Sequence, residues 1–332
     1  MPNIWAHLLF GQEVMEKQGL SEWIQKSENR RLFSFGCQGP DFLFYHRFLP
    51  WLKGPKLEDL GNVMHRDECG PFLMGLMEEA AKHPSGSKVQ IYVLGFALHH
   101  VLDRNVHPYI YYRSGFRKWD HQRFEVMMDT LILRRKRGLA TWKTPVWKEI
   151  DFGESLPDEI TRILYSQSKT FYPEALQSLT SEDLNSAARD MIKAQKLFHD
   201  PTGIKRILTA GQISKLVYKR KVTLDVLNES RTPWYDPTGT GDMYDSSVWD
   251  MWEDALKDAE TIIQAAKAYW SEADLNPLSE SSVALKYELA NAIGNISYDS
   301  AKPCGSSLTI KIADPLIPNG LAYNHTLPPL SQ

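Results

Sequence analysis

Histidines and carboxylates recur at a four-residue spacing in one part of this chain, and that spacing constrains the local fold. His99, Asp103 and His107 are each four residues apart, and His121 and Glu125 repeat the spacing further on. Four residues of an α-helix advance the chain by about 400°, so these side chains stack on one helical face. Helical bundles hold metal ions with imidazoles and carboxylates on facing helices. The pattern therefore predicts two helices beside a site for more than one metal ion.

Apolar residues recur at intervals of three and four through most of the chain, which indicates amphipathic helices. We predict helices over residues 4–18, 71–82, 88–107, 121–137, 155–172, 180–198, 203–227 and 247–270. Thr180 and Asp183 predict a capping box at the start of one of them. Turn residues predict loops over 36–70 and 233–241, and alternation predicts one short strand over 307–313.

These elements predict an all-α protein, a multi-helix bundle. We expect one helical domain over residues 1–270, followed by a short irregular C-terminal extension, 271–332, that packs on the same domain. A hydrophobic content of 42% is sufficient for a sizeable core.

Bulk properties exclude several other classes of protein. The net charge of −3 and the pI near 6.4 do not favour a stable nucleic-acid partner. Three scattered cysteines argue against a disulfide framework and a thiolate zinc site. The amino-terminal sequence does not read as a signal peptide and no apolar run spans a membrane, so the expected location is the cytoplasm.

Five ligands on two helices are too few for two enclosed ions, so other segments should contribute. Asp41 follows a Gly-Pro turn that can present a side chain inward, and His65 lies in the same loop-rich stretch. His7, on the first helix, is a further candidate. This mixture of imidazole and carboxylate suits zinc and does not suit a dedicated calcium site. His100 points about 100° away from His99 on the helix, so we predict that it is not a ligand.

With these residues in place, the sequence resembles the zinc-dependent phospholipase C family and, more distantly, the zinc nucleases of the P1/S1 type. The shared pattern is His-x-x-x-Asp, a following His, and His-x-x-x-Glu/Asp on the next helix. It corresponds here to His99, Asp103, His107, His121 and Glu125, and the likeness is good over residues 1–150.

The resemblance implies two or three zinc ions and assigns their ligands. The first ion would take Asp41, His65, His99 and Asp103. The second ion would take His107, His121 and Glu125. The third ion would take His7, Asp103 as a bridge, and the amino terminus of the chain.

Two departures from the family pattern affect these assignments. Asp103 and His107 are separated by three residues where the family usually has five. The family's amino-terminal ligand is a processed Trp, whereas removal of Met1 here would expose Pro2. Pro2 stands five residues before His7, so we predict that its amine and carbonyl bind the third ion.

The activity implied by the resemblance is hydrolysis of a phosphodiester by a metal-bound hydroxide, with a phospholipid-type substrate. Asp41 would orient the attacking water and Asp103 would join two ions. The aromatic runs 42–45 and 48–51 suggest transient contact with a membrane surface. Two alternatives stay open: a nuclease or nucleotide phosphohydrolase that uses the same metal cluster, and a non-catalytic metal-binding scaffold. The sequence leaves the oligomeric state open.

Overall fold

The computed structural model describes residues 4–49, 51–117, 119–176, 179–208, 217–218, 220–276 and 278–317. This part of the chain is mostly helical and has almost no sheet, so the predicted all-α class is confirmed. Its α-helices are α1 (Ile4–Lys17), α2 (Ser27–Gly36), α3 (Glu58–Met64), α4 (Cys69–Ala81), α5 (Lys88–Ser114), α6 (Asp120–Arg137), α7 (Trp147–Ile150), α8 (Asp158–Phe171), α9 (Ser181–Phe198), α10 (Ile204–Leu208), α11 (Val248–Leu275) and α12 (Glu280–Ile293). Short 3₁₀ helices cover Ser21–Ile24, Gly39–Tyr45 and Pro173–Leu176.

Helix α5 is the centre of the molecule. It begins after Ser87, whose hydroxyl accepts a hydrogen bond from the backbone N–H of Gln90, and it ends at Gly115 with a φ of 75°. Most of its residues are buried, which is the mark of a helix enclosed on several sides. Helices α1, α2, α4, α6 and α11 pack around it. Because α5 is enclosed, polar groups on its surface point into the protein rather than into water.

Two glycines let helix α2 approach helix α5 closely. A Cβ atom at Gly36 would lie 2.6 Å from the carbonyl oxygen of Tyr92, and one at Gly95 would lie 2.7 Å from that of Phe33. Side chains at these positions would push the two helices apart. The close approach brings the chain that follows α2 directly against the middle of α5.

Two predictions about regular structure were wrong. Residues 220–227, part of the predicted helix 203–227, are not helical. There the carboxylate of Asp225 accepts hydrogen bonds from the N–H groups of Glu229 and Ser230, which stabilises a turn. The predicted strand over 307–313 is also absent from the described chain, because the N–H groups of Lys311 and Ile312 both bond to the single carbonyl of Pro237.

Some regular elements were not predicted. Strands β1 (Trp234–Tyr235) and β2 (Met243–Tyr244) form an antiparallel pair, and β1 lies within the predicted loop 233–241. Helices α2 and α3 also went unpredicted. The C-terminal extension is less irregular than predicted, since it contains α12, which packs on α4 and α11. In the described residues, no helix has both the length and the apolar character needed to cross a membrane.

Candidate metal centre

The three predicted ligands on α5 lie on one face of that helix, as their spacing required. Asp103 stands between the two histidines: its Oδ2 lies 3.0 Å from Nε2 of His99, and its Oδ1 lies 3.3 Å from Nε2 of His107. All three side chains are buried. The carboxylate of Asp103 therefore faces two imidazoles at once, one turn above and one turn below.

Asp41 and His65 meet His99 at one end of this row. Nε2 of His65 lies 3.1 Å from Oδ1 of Asp41, and Nε2 of His99 lies 3.9 Å from the same oxygen. The three ligand atoms lie within 4.8 Å of one another. Asp41 is in the 3₁₀ helix Gly39–Tyr45, and His65 follows α3.

Gly39 is required for that approach. Its φ is +49°, and a Cβ atom there would lie 2.2 Å from the ring of His99. Only glycine adopts this conformation without strain and also leaves room for the imidazole. The Gly-Pro turn seen in the sequence therefore places Asp41 against α5.

His7, on α1, joins the middle of the row. Its Nε2 lies 3.2 Å from Oδ1 of Asp103, and its ring stacks on that of His99 with centroids 4.1 Å apart. His7, His99 and Asp103 form a second group whose ligand atoms lie within 4.8 Å of one another. Pro2, the predicted amino-terminal ligand, lies outside the described residues.

His121 and Glu125, on α6, meet His107 at the other end. Oε1 of Glu125 lies 2.9 Å from Nε2 of His121 and 3.4 Å from Nε2 of His107. These three residues are the third group that could hold a metal ion. The shorter spacing between Asp103 and His107 keeps both on the same face of α5, so the departure from the family pattern does not separate them.

Backbone carbonyls orient the histidines. Nδ1 of His65 lies 2.7 Å from the carbonyl oxygen of Gly61, Nδ1 of His99 lies 3.0 Å from that of Cys37, and Nδ1 of His107 lies 3.1 Å from that of Tyr298. An imidazole that donates through Nδ1 presents an unprotonated Nε2. In all three residues, Nε2 is the nitrogen that faces the carboxylates.

The chemistry of these groups fits zinc. In the described part of the chain, the buried polar atoms of the site without a hydrogen-bond partner include His99 Nε2, His107 Nε2, Asp103 Oδ2 and Asp41 Oδ2. Leaving such atoms unsatisfied in the interior is costly. A cavity of about 30 Å³ borders His7, Asp103, His107 and Glu125. Closely spaced imidazole nitrogens and carboxylate oxygens that lack other partners are suited to share divalent cations.

The pKa values show strong electrostatic coupling across the site. Burial raises the pKa of Asp103, but His107, His99 and His7 together hold it well below its ordinary value. Burial lowers the pKa of His107, yet the carboxylates of Asp103 and Glu125 outweigh it and raise that pKa to about 9. These carboxylates are therefore ionised. A bound dication would replace the imidazole protons as the positive charge that balances them.

His100, which we predict not to be a ligand, belongs to none of the three groups. Its Nε2 bonds to the carbonyl oxygen of Ile296 at 2.8 Å, and its ring packs edge-on against Tyr298. Burial lowers the pKa of His100 to about 3, so it is neutral. Its function is to hold the segment that carries Tyr298.

A cavity of about 260 Å³ opens onto the site. Asp41, His65, His107 and His121 line it on one side. The other side includes Arg66, Tyr111 and Asp299, and sequence reasoning missed both Arg66 and Asp299. No spacing signal links residue 299 to the motif, because the two are far apart in the chain.

The comparison with known families agrees with this geometry. A family model described as zinc-dependent phospholipase C matches residues 6–188, which is more than half of the 332 residues. The chain therefore belongs to the zinc-dependent phospholipase C family. No curated protein and no solved structure matches it. The matched residues include His7 and all the predicted ligands that follow it.

Proposed function

We propose that this protein is a zinc-dependent hydrolase of phosphodiesters with a phospholipid-type substrate. The observation that carries the proposal is the row of three His/carboxylate groups along α5, two of which share His99. A cavity of about 260 Å³ gives a substrate access to the row. A purely structural zinc site would be enclosed by its ligands and would need no such cavity.

The proposed ligand sets follow the three groups. One ion takes Asp41, His65, His99 and Asp103, and a second takes His107, His121 and Glu125. A third takes His7 and Asp103, with Pro2 as a further ligand. Asp103 serves two sets because its two oxygens face different imidazoles.

Zinc, when bound, lowers the pKa of a water molecule and neutralises negative charge on the phosphate. The orientation of the water and the access of the substrate depend on residues of the chain. Asp41 is buried and has one oxygen, Oδ2, without a hydrogen-bond partner, so it can accept a hydrogen bond from the attacking water and orient it. Among the predicted ligands that the structure describes, His121 is the most exposed, with 19% of its side chain accessible, and it lines the cavity.

Of the two aromatic runs, 42–45 is mostly buried, and the exposed residues at the end of the second run support transient contact with a lipid surface. Trp51 is 70% exposed and Leu52 is 40% exposed. An indole on a protein surface favours the interface of a bilayer, where one edge is apolar and the other wet. Trp51→Ala should lower turnover of phosphatidylcholine vesicles and leave turnover of soluble bis(p-nitrophenyl) phosphate unchanged. Equal turnover of vesicles by Trp51→Ala and wild-type protein would remove Trp51 from the proposal.

The test combines elemental analysis with hydrolysis of three substrates: phosphatidylcholine, bis(p-nitrophenyl) phosphate and single-stranded DNA. We expect two or three zinc ions per chain and turnover of the first two. Turnover of DNA alone would assign the site to a nuclease. Zinc-loaded protein that hydrolyses none of the three would contradict the proposal and indicate a metal-binding scaffold.

A further inference from the structure

The cavity of about 260 Å³ that opens onto the metal centre, called the metal cavity below, adjoins a second cavity. The second cavity has a volume of about 420 Å³ and is lined mainly by residues 297–310. Arg66, Tyr111 and Asp299 border both cavities. A substrate group that bridges the two spaces must pass these side chains.

Arg66 is held at this junction by Asp299. Its Nε donates to Oδ2 of Asp299 at 2.8 Å, and the hydroxyl of Tyr111 donates to Oδ1 at 2.9 Å. The side chain of Arg66 is nevertheless 62% exposed, whereas that of Asp299 is 8% exposed. A guanidinium carries five N–H donors. The carboxylate engages Arg66 through Nε, and the exposed end of the guanidinium extends toward the cavities.

Asp299 is itself fixed to the backbone beside the metal centre. The N–H of Tyr298 and the hydroxyl of Ser297 both donate to the carbonyl oxygen of His65, at 2.9 and 3.0 Å. The carbonyl of Tyr298 in turn accepts from His107. The segment 297–299 is thereby tied to one histidine of each outer metal group.

The positive charge of Arg66 is suited to binding a phosphate at the edge of the metal cavity. Among the described residues that line the metal cavity, Arg66 has the one guanidinium or ammonium group. A phosphodiester carries negative charge on its two non-bridging oxygens, and arginine binds phosphate oxygens with short, charge-assisted hydrogen bonds. An arginine at the edge of a dinuclear site can therefore contact an oxygen that the metal ions do not.

We propose that Arg66 binds a non-bridging oxygen of the substrate phosphate, that Asp299 is its positioning residue, and that the second cavity receives one organic substituent of the phosphodiester. This inference rests on the proposed function. It adds a phosphate-binding residue from the matched part of the chain and a positioning residue from outside residues 6–188.

The test uses full-length, zinc-loaded protein and two independent readouts. Arg66→Met should lower kcat/KM for bis(p-nitrophenyl) phosphate at least tenfold and weaken binding of inorganic phosphate, measured by calorimetry, by about tenfold, which is about 1.4 kcal/mol. Zinc content should not change. Asp299→Asn should give a smaller loss of the same kind, since it leaves the guanidinium in place but holds it less firmly.

Arg189→Met is the matched control, because Arg189 forms an ion pair with Glu182 at 2.6 Å and lines neither cavity. It should leave both readouts unchanged. If Arg66→Met binds phosphate and turns over substrate like the wild type, the inference is overturned, even if its melting temperature falls. If the wild type binds phosphate through Arg66 but hydrolyses no phosphodiester, the phosphate-binding role of Arg66 stands and the proposed function fails.

Discussion

At the scale of single residues, Asp103 has the most contacts within the metal centre. It lies 3.0–3.3 Å from the Nε2 atoms of His7, His99 and His107. No other described carboxylate of the centre approaches three imidazoles within 3.3 Å. Its loss should therefore disturb more than one metal group.

We predict that Asp103→Asn lowers the rate of phosphodiester hydrolysis by at least about a hundredfold and reduces zinc content. The amide is neutral, so it removes the negative charge that would balance two dications. Zinc analysis and steady-state kinetics test this. Asp258→Asn is the control. Asp258, on α11, forms an ion pair at 2.7 Å with Arg104, the neighbour of Asp103 on α5, but belongs to none of the three metal groups. Full zinc content and normal turnover in Asp103→Asn would refute its role as a bridge.

Gly39 provides a second prediction at this scale. Gly39→Ala introduces a methyl group 2.2 Å from the ring of His99 at a residue with positive φ. Gly138 also has a positive φ, +67°, but a Cβ atom added there would have no other atom within 4 Å. Gly138→Ala is therefore the matched control. Gly138→Ala should cost about 1–2 kcal/mol in the free energy of unfolding from backbone strain alone. Gly39→Ala should cost more and also lower zinc content, whereas equal costs would show that the contact with His99 does not matter.

At the scale of elements, the position of α1 decides whether His7 reaches the centre. The buried carboxylate of Asp129, on α6, accepts hydrogen bonds from the N–H groups of Trp5 and Ala6 at 3.0 and 2.8 Å. These N–H groups belong to the first turn of α1 and have no partner within the helix. The hydroxyl of Tyr218 donates to the same carboxylate at 2.9 Å. Asp129 thus fixes the first turn of α1 beside His7.

We predict that Asp129→Ala removes one zinc ion selectively. The ions bound by the outer groups should remain, because their ligands lie on the 3₁₀ helix, directly after α3, and on α5 and α6 rather than on α1. Zinc stoichiometry measures the effect. Tyr218→Phe is the control: it removes the hydroxyl bond but keeps both acceptors for α1, so zinc content should be unchanged. Loss of all zinc from Asp129→Ala would show a general structural role instead.

At the scale of the whole molecule, metal binding and protonation are linked. Burial lowers the pKa of His107, but nearby carboxylates raise it to about 9 in the metal-free protein, above its ordinary value of 6.5. Its protonated form therefore stabilises the metal-free fold below about pH 6.5, and this contribution is lost as pH rises through about 9. Zinc requires the neutral imidazole, so zinc and the proton compete for the same nitrogen.

This competition gives a pH-dependent prediction. Zinc affinity should rise with pH between about 6.5 and 9, and zinc binding at pH 7 should release protons. Calorimetry in two buffers with different ionisation enthalpies counts the protons released. Chelation of zinc should also lower the melting temperature, since a ligand that binds only the folded state stabilises it. Proton release of zero at pH 7 would contradict the raised pKa of His107.

The sequence by itself determined the helical class and the inner part of the metal centre. The spacing of His99, Asp103 and His107 is a local property, because a helix places every fourth residue on the same face whatever packs against it. Turn chemistry and position made Asp41, His65 and His7 candidates, the family resemblance assigned them to particular ions, and the structure brings all three within reach of α5. Local patterns were less reliable for residues 220–227 and 307–313, where hydrogen bonds to single side chains or carbonyls replaced regular structure.

Only the tertiary structure decided what completes the site. Asp299 and the carbonyl of Tyr298 lie nearly 200 residues after the ligands that they support, in a segment held by backbone hydrogen bonds to His65 and by His100. No periodicity or motif connects such distant positions, because the packing of α12 and its following turn against α4 and α5 sets their distance. Local helix geometry predicts the candidate ligands on α5 and α6, and the long-range packing adds Arg66 and Asp299 beside them.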